Sequence, residues 1–177
     1  MKRLNWGCGP VPAPGWLNSD RNGGPGIELV CDIRDGLPLP TESVEYAVSI
    51  HALQDVCFLE VVPTLQELHR VLQRGGVLRL GLPDLDRAID AYRRGDRGYF
   101  YIPDEDAVSL GGKLTAQIIW YGSTRTPFTF DFAAEALTRA GFVDVRRCRF
   151  RETLSPFPEI TALDNRERES LFVEAVK

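Results

Sequence analysis

The residues with chemistry to offer lie in the first third of the chain. Leu4-Asn5-Trp6-Gly7-Cys8-Gly9 runs from a short apolar stretch into Gly-x-Gly. That is the pattern of a strand ending in a turn where backbone passes close to a ligand or to another segment. Two later stretches, 16–20 and 27–32, read as strands that finish on Asp20 and Asp32, and His51 stands just behind a fourth strand at 44–50. In open α/β sheets ligands bind beyond the carboxyl ends of the strands, so Gly7, Gly9, Asp20, Asp32 and His51 share one rim. A carboxylate there accepts hydrogen bonds from ligand hydroxyl or amino groups, and an imidazole titrating near neutrality can take a proton. Each also has a plainer reading. A strand-terminal Asp forms turns, two glycines make a tight turn, and a histidine packs or caps.

A dinucleotide fingerprint would place a third glycine three residues after Gly9, where Pro12 stands. It would also open a helix behind the loop to face a pyrophosphate. Pro10, Pro12, Pro14 and Gly15 forbid a regular helix there, so an NAD-dependent oxidoreductase falls behind the other readings.

The elements that must hold this rim follow along the chain. Residues 57–73 carry Leu59, Val62, Leu65, Leu68 and Leu72 at helical period, with Arg74-Gly75-Gly76 expected to stop the helix and 77–82 to form the fifth strand. Residues 84–94 and 130–140 read as helices, 143–150 as a sixth strand and 171–176 as the last, with 151–169 a loop. Residues 95–129 form an aromatic, glycine-bearing insert (Tyr99, Phe100, Tyr101, Trp120, Tyr121, Phe128) with room for a helix between Asp106 and Trp120.

Composition sets the outer bounds. The 177 residues, 44% hydrophobic and 26% charged, fit one soluble α/β domain over 1–177. No run approaches the roughly 18 apolar residues of a membrane span, and the N-terminus enters a strand at once, so the expected location is cytoplasmic. Cys8, Cys31, Cys57 and Cys148 form no C-x-x-C pair, and no metal is expected. A net charge of −4 gives no general attraction to nucleic acid. Arg146, Arg147, Arg149 and Arg151 read as a solvated edge strand, with a patch for an anionic substrate as the alternative.

Taken together, these segments resemble the class I S-adenosylmethionine-dependent methyltransferases, and more closely a bacterial group of small, type 11-like predicted methyltransferases. The resemblance runs through Leu4-Asn5-Trp6-Gly7-Cys8-Gly9, Gly15-Trp16-Leu17-Asn18-Ser19-Asp20, Asp32-Ile33-Arg34-Asp35-Gly36-Leu37-Pro38 and Ser49-Ile50-His51-Ala52-Leu53. It continues through Glu67-Leu68-His69-Arg70-Val71-Leu72, Leu82-Pro83-Asp84-Leu85-Asp86, Ala140-Gly141-Phe142 and Glu169-Ser170-Leu171-Phe172-Val173-Glu174-Ala175. It implies a Rossmann-like, doubly wound sheet of about seven strands, the last inserted antiparallel beside the fifth. It also implies S-adenosylmethionine as methyl donor, S-adenosylhomocysteine as product and a small-molecule acceptor.

By the same resemblance, Asn5, Gly7, Cys8, Gly9, Asp20, Asp32, Ile33 and His51 would hold the cofactor. The Gly7 to Gly9 backbone would pass under its methionyl part, Asp20 would take the ribose hydroxyls, and Asp32 and Ile33 would flank the adenine. His51 is the first candidate for a catalytic base, with Asp55 and Asp84 in reserve. Three departures stand out. The helix usual between the first two strands is missing; relatives often read His-x-Leu-Glu-His where this chain has His51-Ala52-Leu53-Gln54-Asp55; and Gln73-Arg74 replaces a common Lys-Pro. The second departure keeps open a catalytically inactive cofactor-binding or protein-interaction module. The insert is expected to be a substrate lid, a cover for one face of the sheet, or a homodimer surface.

Overall fold

The computed structural model describes residues 2–177. Its strands are β1 (Arg3–Trp6), β2 (Leu17–Asp20), β3 (Leu29–Val30), β4 (Val44–Ile50), β5 (Leu72–Pro83), β6 (Val143–Cys148) and β7 (Ser170–Val176). Its helices are α1 (Val61–Val71), α2 (Leu85–Arg93), α3 (Leu110–Ile119) and α4 (Phe130–Arg139). The strands form one sheet in the order β3-β2-β1-β4-β5-β7-β6. All neighbours pair in parallel except β7, which runs antiparallel to both β5 and β6.

Period-2 alternation along the central strands decides what each face buries. Ala47 of β4, Leu78, Leu80 and Leu82 of β5, and Leu171, Val173 and Ala175 of β7 share a core with Leu65 and Leu68 of α1 and Ala133, Ala136 and Leu137 of α4. Tyr46, Val48 and Val77 point to the opposite face, where Trp16 and Ile160 join them. Trp16 meets Tyr46 edge-on, and Phe157 stacks on Tyr46 with ring centroids 4.9 Å apart. No helix lies between β1 and β2. The space is filled by 10–16 and by the loop 149–169, so that loop covers this part of the sheet and the aromatic insert does not.

The loop is fixed by Arg79, which is fully buried at the middle of β5. Its guanidinium donates to Asp164 through Nε (2.7 Å) and Nη2 (2.5 Å), and to Glu174 through Nη1 (2.6 Å). It also donates to the carbonyls of Glu152 and Arg149. A buried charge requires this degree of satisfaction.

Several boundaries differ from the sequence reading, each for a local reason. α1 ends at Val71 because Leu72 already pairs with Val44, and the residues between Leu72 and Val77 bulge out of register. Gly76 is needed there because a Cβ would lie 2.8 Å from the carbonyl oxygens of Gln73 and Glu45. β3 is two residues long because Asp32 leaves the strand to cap the short helical turn Ile33–Asp35, accepting from the Arg34 amide. β6 stops at Cys148 and lies at the sheet edge. Its arginines are partly paired there, Arg147 with Asp84 at 2.7 Å.

Candidate active site

Two cavities open along the carboxyl rim of the sheet and share His51 and Asp55 in their walls. The larger, about 640 Å³, is lined by Gly7, Gly9, Asp20, Asp32, Ile33 and Arg34 among others. The smaller, about 250 Å³, is lined by Gln54, Asp84, Tyr99, Trp120, Arg166 and Glu169 among others.

The turn after β1 is tied to β2 at three points. The Gly7 and Cys8 amides donate to the Ser19 carbonyl (2.8 and 3.1 Å), and the Gly9 amide donates to Asp20 Oδ2 at 2.9 Å. Gly7 and Gly9 both adopt positive φ, +70° and +59°. A Cβ at Gly7 would lie 2.2 Å from the Ala52 Cβ, whereas at Gly9 nothing stands within 4 Å. Gly7 therefore lets the turn close against the segment after His51, and Gly9 faces open space. Asp20 also accepts from the Asn22 amide at 2.8 Å, which leaves lone pairs on both its oxygens.

Asp32 is held by Arg34, which donates through Nε (2.9 Å) and Nη2 (2.6 Å). Those bonds, with the Arg34 amide, hold its carboxyl down at about 2. Asn5 and Cys8 do not line the cavity. Asn5 is buried and donates to Asn18 Oδ1 (3.0 Å), which positions the 13–18 turn through the Ala13 amide. Cys8 turns back on the Gly9 carbonyl.

His51 follows β4 at φ +55°, a conformation that histidine tolerates better than most residues. Nε2 lies 2.8 Å from Ser170 Oγ, and Arg166 Nη1 lies 3.5 Å from Nδ1. Since Arg166 can only donate, Nδ1 accepts and Nε2–H donates to Ser170, whose hydroxyl passes on to the Asn165 carbonyl at 3.3 Å. Burial, and then the Arg166 charge, pull the imidazole down to about 4, so it is neutral at neutral pH. Asp55 behaves oppositely: it opens into both cavities, and the protein crowding around it pushes its carboxyl above the usual range. Asp84 is buried and committed to structure. It caps α2 through the Arg87 amide (3.1 Å) and pairs with Arg147 (2.7 Å).

A family model described as "Methyltransferase domain" matches residues 12–80. Across the whole sheet, the chain superposes on solved S-adenosylmethionine-dependent methyltransferases. One, a "possible histamine N-methyltransferase" from Thermotoga maritima, gives a TM-score of 0.58 at 16% identity, over 99% of this chain and 82% of that one. Another, from Mesorhizobium loti, gives 0.56 at 18% identity over 99% and 90%. The chain has the fold of the class I S-adenosylmethionine-dependent methyltransferases. A third structure, described as "PigF with SAH", gives 0.57 at 16% identity, over 99% of this chain and 50% of that one. No curated protein sequence matches the chain.

In this methyltransferase fold the family-model match starts beyond Gly-x-Gly and ends inside β5, so neither the glycine turn nor the insert lies within it. No residue of the far wall of the smaller cavity was named as a site candidate, although the insert was expected as a substrate lid among other roles. Tyr99, Gln117 and Trp120 come from the insert, whose aromatic content was a visible signal. Arg166 and Glu169 come from the loop before β7; Glu169 opens a stretch that carries the resemblance, and neither period nor motif marks Arg166. No group of three or more potential metal ligands exists among the described residues, and none of their helices is long and apolar enough to cross a membrane.

Proposed function

We propose that the chain binds S-adenosylmethionine in the larger cavity and transfers its methyl group to a small-molecule acceptor in the smaller one. The observation that carries this reading is the shared wall: two cavities meet at His51 and Asp55, on the rim where this fold places its ligands. The residues present fit the cofactor. Asp20 keeps acceptor lone pairs for a diol, Gly9 leaves room for a chain to pass, and Ile33 offers an apolar edge beside the ionised Asp32–Arg34 pair. When bound, the cofactor supplies an electrophilic methyl on a sulfonium.

The protein's task is then to align a nucleophile with that methyl and to keep water and competing charges away. A neutral His51 places no second cation beside the sulfonium, and its bonds to Ser170 and Arg166 make it a positioning residue. Asp55, with its raised carboxyl, takes over as the proton acceptor where the nucleophile must lose a proton. Asp84 holds α2 and Arg147 in place. The smaller cavity is open, not filled by side chains, which supports an enzyme over a binding-only module.

Calorimetric titration with S-adenosylmethionine and S-adenosylhomocysteine tests the reading. Micromolar binding is expected, weakened about tenfold or more in Asp20→Ala, which is about 1.4 kcal/mol. The absence of binding to either ligand by the folded protein would overturn it.

A further inference from the structure

Two side chains in the far wall of the smaller cavity end in polar atoms that no protein group satisfies. Gln117 of α3 is 8% exposed, and its Oε1 accepts from the Tyr101 amide at 2.9 Å. Exchanging the two ends of the side-chain amide would set N–H against N–H, so the orientation is fixed and Nε2 is the free end. Tyr99, also 8% exposed, packs its ring edge-on against Phe100, and its hydroxyl has no partner among the described residues. The fully enclosed side-chain atoms without a partner there are Ser49 Oγ, Gln54 Oε1 and Thr64 Oγ1, so Gln117 Nε2 and the Tyr99 hydroxyl each keep an open face. Both residues line the smaller cavity and are otherwise enclosed, so that face is turned to the cavity.

Both free ends are donors. Nε2 carries two N–H groups and accepts nothing. Burial, and then the charges of Asp84 and Glu169, push the Tyr99 hydroxyl up to about 12, so it keeps its proton. The same two charges disfavour an anion at this wall. Arg166, the cation lining the cavity, is divided between His51 Nδ1 (3.5 Å) and Glu169 (3.8 Å). An ammonium group would set donor against donor at Gln117, and a hydroxyl would bring a further O–H to a wall that already offers an amide and a phenol. A carbonyl oxygen brings two lone pairs, no proton and no charge. Leu85, Ala88, Ile118 and Trp120, in the same cavity, give its carbon skeleton an apolar bed.

Resting on the methyltransferase reading above, we propose that Gln117 is the specificity-determining residue of the smaller cavity, and that it selects a methyl acceptor carrying an uncharged carbonyl group, a ketone or carboxamide, whose oxygen accepts from Nε2. The Tyr99 hydroxyl is a second donor in the same wall, acting on its own. The carbonyl is the handle and not the reacting group, which lies at the other end of the cavity, where Asp55 opens to both cavities. The insert thus chooses the acceptor, and the segment after β4 places it for reaction. Neither Gln117 nor Tyr99 lines the larger cavity, so changing them leaves the cofactor's surroundings as they are.

The test uses para-hydroxyacetophenone, para-ethylphenol and para-hydroxybenzoate, phenols of similar size that carry a ketone, no second polar group and a carboxylate. Each is titrated calorimetrically into the protein saturated with S-adenosylhomocysteine. The ketone is expected to bind about tenfold more tightly than either of the others. Gln117→Glu keeps an oxygen for the Tyr101 amide and replaces the Nε2 donor with an acceptor, so it should erase that preference. Tyr99→Phe removes a hydroxyl that has no protein partner. It should weaken ketone binding about threefold while unfolding stability and S-adenosylhomocysteine affinity stay unchanged. Should Gln117→Glu fail to fold, Tyr99→Phe decides alone. If S-adenosylhomocysteine binds while the ketone shows no preference, or the preference survives Gln117→Glu, the carbonyl assignment is wrong and the methyltransferase reading stands. If S-adenosylhomocysteine itself does not bind, both fall.

Discussion

Gly7 is under two separate constraints, and they can be measured apart. Its φ of +70° is costly for any residue with a Cβ, and that Cβ would stand 2.2 Å from the Ala52 Cβ. The left-handed conformation costs about 1–2 kcal/mol, and overpacking about 1–3 kcal/mol. Gly7→Ala should therefore lower unfolding stability by about 2–5 kcal/mol by urea denaturation. Gly7→Ala combined with Ala52→Gly should recover only the overpacking share, and full recovery would mean that the backbone there carries no strain. At this scale the sequence showed which residues mattered better than it showed why. Gly-x-Gly, Asp20 and His51 were legible from their positions at strand ends. The glycines read as a close approach to a ligand or to another segment; at Gly7 it is the segment carrying Ala52, and Gly9 faces open space. Asp84 was legible as a carboxylate on the rim, but its place before 85–93 makes it a helix cap, the commoner use of an Asp in that position.

Between elements, the most consequential contact is Arg79 with Asp164 and Glu174, since it ties the loop carrying Arg166 and Glu169 to the sheet. Removing one partner of a buried ion pair leaves an uncompensated charge and costs about 3–5 kcal/mol. Arg79→Met is expected to lose that much in chemical denaturation, and to speed amide exchange across 149–169 more than in β1 or β4. Adding Asp164→Asn and Glu174→Gln should restore part of the loss; no restoration would mean that the guanidinium acts mainly by packing. β4 was read to the residue from its apolar run, and α2 and α4 to within one or two, because period and caps are local signals. The loop anchor was not legible. Arg79 sits mid-strand among apolar residues, and its partner Asp164 lies 85 residues away, a separation that no local pattern bridges. The same holds for the sheet cover. The missing helix after β1 was visible in the prolines, but its replacement by Phe157 and Ile160 depends on the fold closing first.

The acid response of the whole molecule is set by opposing groups whose shifts come from the same burial. His51 is depressed to about 4 from 6.5, and His69 is depressed as well, by burial and then by the Lys177 charge. Between the two His51 values the unfolded chain binds more protons than the folded one, so stability is full above about pH 6.5 and falls as pH falls toward 4. Asp55 and Glu169 are raised by burial, so the folded state takes up their protons first and stability rises as pH falls through their folded pKa values. Asp32, held down at about 2, contributes only below its ordinary 3.8. With both histidines present, their loss should dominate, at about 1–2 kcal/mol between pH 7 and 5 in urea midpoints at constant ionic strength. The variant His51→Asn with His69→Gln removes that side of the balance, and Asn suits the left-handed φ at position 51. Its stability should fall less than the parent's as the pH is lowered, because the raised carboxyls of Asp55 and Glu169 act with the opposite sign. An unchanged slope would show that burial does not hold the two histidines down. The smaller cavity, with His51 in its wall, would then lack the low-dielectric surroundings on which the Asp55 proton acceptor depends.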